Sequence, residues 1–65
     1  MANTSADLHA LLDRLKQAQH ALIKDAARQS GLPSAATVSK IADLENTIAA
    51  VLALIEERKG PGELV

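Results

Sequence analysis

The sequence predicts an all-α fold: an antiparallel two-helix hairpin of 65 residues, expected to dimerise into a four-helix bundle. Three observations carry this. Every glycine and proline falls in one of two places, Gly31 with Pro33 at mid-chain and Gly60, Pro61 and Gly62 near the end. The stretches between those breaks, Ser5 to Ser30 and Ser34 to Lys59, are 26 residues each and rich in Ala, Leu, Lys, Gln and Glu, which favour helix. Apolar residues recur in both at three- and four-residue steps, and the two-residue alternation of a strand is absent. The expected division is helix 5–30, turn 31–33, helix 34–59 and a flexible tail 60–65.

The first helix should start at Thr4-Ser5-Ala6-Asp7, where a hydroxyl cap precedes a carboxylate that suits the helix dipole. Its seam is read as Leu8, Leu11, Leu15, Ala18, Leu22 and Ala26, flanked by Leu12 and Ile23. Gly31 can take the left-handed conformation that closes a helix, and Leu32 could supply the apolar contact of a Schellman stop. Pro33 blocks continuation, and Ser34 can cap the second helix. That helix should present Val38, Ile41, Leu44, Ile48, Val51 and Ile55, flanked by Leu52, with Arg58 and Lys59 in its last turn. Folding about Leu32 sets Leu8 near Ile55, Leu15 near Ile48 and Leu22 near Ile41.

One seam is a thin basis for a chain this short, which ordinarily needs a staple or a partner. The sequence holds no cysteine and no aromatic residue to supply one. The second helix also has more apolar surface than one seam uses. Between Ile48 and Ile55 it wraps most of the cylinder, and Leu54 lies about 100° or more from the Ile41–Ile48–Ile55 line. Ala50, Val51 and Leu54 are therefore the candidate partner-binding residues, with Val51 shared between patch and seam. A second hairpin or another protein would cover them.

Composition excludes other classes. The formal net charge is −1 with both signs interspersed, a poor footprint for nucleic acid or acidic lipid. Ile48 to Ile55, the longest uncharged apolar stretch, is far below the roughly 20 residues of a membrane span. Met1 to Asp7 lacks the pattern of a signal peptide, so a cytoplasmic location is expected. His9 and Asp13, four residues apart with Lys16, His20 and Lys24 nearby, could orient a base or hold a metal. His9 and His20 stand roughly 16 Å apart along a helix, no nucleophile lies beside them, and no glycine-rich loop exists for phosphate. The expectation is a solvated polar face, with no catalytic residue, metal, cofactor or small-molecule substrate.

Three resemblances bear on function. Ile23 to Leu32 followed by Ala36-Thr37-Val38-Ser39-Lys40 resembles the helix-turn-helix of LacI-type repressors, with Ala27 and Gly31 at the motif's spacing. One extra residue between Gly31 and Thr37, the long upstream helix and the lack of a third helix depart from that family, and the match is read as coincidental. The overall plan looks like the Rop family, two-helix hairpins that dimerise and bind paired RNA loops through their first helices. The aromatic of that RNA face is missing here, and Arg14, Lys16, Lys24 and Arg28 only just outnumber Asp7, Asp13 and Asp25. The layout of the Leu8–Leu11–Leu15 ladder, the Gly31-Leu32-Pro33 turn and the apolar Ile41 to Ile55 helix is similar to the small helical antiactivators of bacteria, which bind and disable a transcriptional regulator.

The reading that follows is a non-catalytic protein–protein interaction module: a small bacterial regulator of the antiactivator or adaptor type. It would occlude a protein partner, such as a transcriptional regulator, through its second helix, or pair with itself as a homodimer. The alternative is a nucleic-acid-binding regulator of the Rop or helix-turn-helix kind.

Overall fold

The computed structural model describes residues 4–58 and contains two helices, α1 (Thr4–Arg28) and α2 (Ala35–Arg58), packed against each other. No strand occurs among the described residues. Leu12, Ile48, Val51 and Ile55 form the core, with Leu8 and Leu15 packed against it. Early residues of α1 therefore meet late residues of α2, which makes the pair antiparallel. Lys59 and the tail 60–65 lie outside the described residues.

The turn follows from local chemistry. α1 ends at Arg28, two residues before the expected Ser30, and Gln29 N–H closes on the Ala26 carbonyl at 3.2 Å. Gly31 holds φ +85°, the left-handed conformation that glycine adopts without steric cost. Ser34 caps α2: its Oγ accepts the Thr37 N–H at 3.2 Å, and its carbonyl accepts the Val38 N–H at 3.0 Å. Leu32 departs from expectation. It is 96% exposed and makes no Schellman contact, because the residue before Pro33 is steered into extended backbone and away from α1.

A Cβ at residue 31 would meet nothing within 4 Å, so the cost of a side chain there is purely conformational. Gly31→Ala is expected to destabilise the chain by roughly 1–2 kcal/mol in denaturant titration. Gly31→Asn should cost less, since asparagine tolerates this region. Equal stability of all three would place the turn's left-handed residue elsewhere.

The seam runs in a different phase from the one expected. In α1 the half-buried or buried row is Leu8, Leu12, Leu15, Gln19, Leu22 and Ala26. Leu11 and Ala18 stand outside it. In α2 the row is Thr37, Ile41, Leu44, Ile48, Val51 and Ile55, and Val38 is exposed. Both rows alternate four- and three-residue steps without a break, the spacing that keeps a seam facing one partner. The expected rows broke that alternation at Leu22–Ala26 and at Val38–Ile41–Leu44. Register then pairs Leu8 with Ile55, Leu12 with Val51 and Leu15 with Ile48, and these three layers are the core.

Beyond them the layers are mixed: Gln19 with Leu44, Leu22 with Ile41, and the smaller Ala26 with Thr37. Gln19 Nε2 donates to Glu45 Oε1 of the facing helix at 2.8 Å, an exposed bond worth about 1 kcal/mol net. Gln19→Leu should add more by apolar burial than it loses, because the freed Glu45 carboxylate stays in water. The expected gain is about 1 kcal/mol, or a melting temperature higher by roughly 4–8 °C. A lower melting temperature would mean that the Gln19–Glu45 bond anchors the middle of the hairpin.

Candidate interaction surface

The seam accounts for only part of the apolar surface. Among the described residues four side chains are buried, and none is completely enclosed. Two sides of the hairpin remain, and they differ in character. Leu11 and Ala18 each precede a seam residue of α1 by one position, as Thr47 and Leu54 do in α2. In an antiparallel pair such equivalent flanking positions border the same side. Lys16 and Ile23 follow seam residues by one position, as do Val38, Glu45 and Leu52, and these border the opposite side. The Gln19–Glu45 hydrogen bond lies across that second side.

Both sides expose large apolar residues, Leu11 and Leu54 on the first and Ile23, Val38 and Leu52 on the second. Leu11 and Leu54 are 36% and 42% exposed, and Ala18 and Thr47 lie between them and the turn. The half-buried Leu15, Leu22 and Leu44 lean toward this side on the helical wheel, whereas buried Leu12, Ile48 and Ile55 lean away. Thr47 does not make the strip polar, because its Oγ1 donates to the Asp43 carbonyl of its own helix at 2.8 Å. The second side carries Lys16, Gln19 and Glu45 across its middle.

Of the three expected patch residues, Val51 is 8% exposed and belongs to the core. Ala50 and Leu54 remain outside. Leu11, assigned from the sequence to the seam, flanks it on the same side as Leu54. The signal for this was Ala26: seven-residue spacing back from it runs through Gln19 to Leu12.

Two residues on the polar face of α1 make bonds within their own helix or to a neighbour one turn on. His9 Nδ1 donates to the Ser5 carbonyl at 2.8 Å. Asp25 pairs with Arg28 one turn on, an exposed ion pair of small energetic weight. Among the described residues no group of three or more His, Asp or Glu is placed to hold a metal, and no pocket is present. No described helix is long and apolar enough to cross a membrane.

The fold and this surface define a two-helix hairpin with large apolar side chains exposed on both sides of its seam. Comparison with known protein families, with curated proteins and with solved structures finds no match. The likenesses to Rop hairpins and to small antiactivators therefore stand on layout alone.

Proposed function

We propose that this chain is a non-catalytic helix-association module, a small regulator of the antiactivator or adaptor type that binds a partner protein and occludes it. The observation that supports this is the exposure of Leu11 and Leu54 on one side of a hairpin whose buried core, among the described residues, is Leu12, Ile48, Val51 and Ile55. A helix offering an i, i+3, i+4 apolar row to such a strip would bury it. The partner is then held by apolar contact, and its own assembly or ligand contact is blocked.

Capture from the native host tests the reading, with wild type and Leu54→Glu as baits and washes at low and high salt. A protein retained by wild type, lost by the variant and indifferent to salt supports it. Nucleic acid retained at low salt and released steeply as salt rises would replace it with phosphate binding.

A further inference from the structure

Packing is spread unevenly along the hairpin. The buried residues Leu12, Ile48, Val51 and Ile55 all lie toward the open end, with Leu8 and Leu15 against them. From Gln19 through the turn to Leu44 no residue is buried, and the seam there is half-buried throughout. The most exposed large apolar side chains, Ile23, Val38 and Leu32, belong to this same stretch. Apolar stabilisation scales with area removed from water, so this half contributes less. Its helices are also weaker. The first half of α2 contains Thr37, Val38, Ser39, Ile41 and Asp43, poorer helix formers than the Ala, Leu and Glu that predominate over residues 49–57. The bond from Thr47 Oγ1 to the Asp43 carbonyl is of the kind that loosens and bends a helix, and it lies where the two halves of α2 meet. The Gln19–Glu45 hydrogen bond crosses between the helices at the same height and is open to water.

We infer that the hairpin is built in two zones, a clasp at its open end and a turn-side half that opens while the clasp stays shut. The clasp is the three layers that pair Leu8 with Ile55, Leu12 with Val51 and Leu15 with Ile48. The turn-side half is α1 beyond Gln19, the turn itself, and α2 as far as Leu44. Regions with few buried apolar contacts open at a lower free energy than the whole molecule. The two helix segments involved, 20–28 and 35–44, are each shorter than the ~12–15 residues that an isolated helix needs. Parting them therefore unwinds them. The clasp then closes a longer loop, which costs little because closure entropy grows slowly with length. The turn's own bonds do not oppose this, since Gln29 to Ala26 and Thr37 to Ser34 each lie within one segment. Opening bares Leu22, Ile41 and Leu44 beside the already exposed Ile23 and Val38, and the clasp keeps the chain a hairpin meanwhile. The device needs no partner and stands apart from the helix-association reading.

Amide hydrogen exchange on the full chain, read by NMR, tests this on residues matched for distance from the helix ends. Residues 22–25 stand as far from the end of α1 as residues 52–55 do from the end of α2. Residues 41–44 stand as far from the start of α2 as residues 10–13 do from the start of α1. In each pair the turn-side member should show protection lower by about tenfold or more. Ile48→Val, a mild truncation in the clasp, should lower clasp protection by about two- to tenfold and leave the turn-side half unchanged. Equal protection within the matched pairs, or an equal fall in both halves on Ile48→Val, overturns the two zones and makes the hairpin one all-or-none unit.

Discussion

Ile48→Glu is expected to leave the chain unfolded, with the helical circular dichroism signal lost at every accessible concentration. Ile48 is 6% exposed and sits among Leu12, Val51 and Ile55 in the buried cluster. Replacing it removes roughly 2–5 kcal/mol of apolar packing and places a carboxylate where no cation waits. A single core of a chain this size supplies no more than about 3–5 kcal/mol in total. The loss therefore equals or exceeds the stability available. A folded Ile48→Glu variant would show that the seam is not what holds the two helices together.

Leu54→Glu is expected to give a different outcome from the same kind of substitution six residues earlier. Leu54 lies outside the seam, so the hairpin keeps its internal contacts and its helical signal in the cold. What it forfeits is the burial Leu54 gains on docking, ~1.5–3 kcal/mol. Sedimentation should report a smaller species than wild type if Leu54 mediates self-association. Melting should fall as well, because the association that favours the folded state is gone. If Leu54→Glu behaves as wild type does, the Leu11–Leu54 side has no partner. If it unfolds outright, the separation of packing side from interaction side is wrong.

The hairpin was legible because its determinants act locally. Gly31, Pro33 and Ser34 each impose their conformation through their own backbone or hydroxyl, whatever surrounds them. The phase of the seam was harder to read because Leu8, Leu15 and Leu22 belong to two apolar rows at once. Hydrophobicity favours Ala18 over Gln19 as the fourth member, and that preference selects the wrong row. The inter-helix bond from Gln19 to Glu45 depends on a facing residue 26 positions away, which periodicity along one helix cannot reveal. Unbroken four-three spacing was the better guide, since it admits Gln19, Ala26 and Thr37 and excludes Val38. The candidate patch inherited the same ambiguity: Leu54 and Ala50 were read as outward-facing, Val51 went to the core, and Leu11 was hidden in the assumed seam.

The central claim is that one seam folds the hairpin only marginally and that its exposed apolar side chains supply the rest through association. Melting temperature as a function of protein concentration tests it most directly, because folding linked to association must respond to mass action. Across an approximately hundredfold range of concentration, wild type should melt higher at each step, while Leu54→Glu should melt low and at one temperature throughout. A high, concentration-independent melting temperature for wild type would contradict the account.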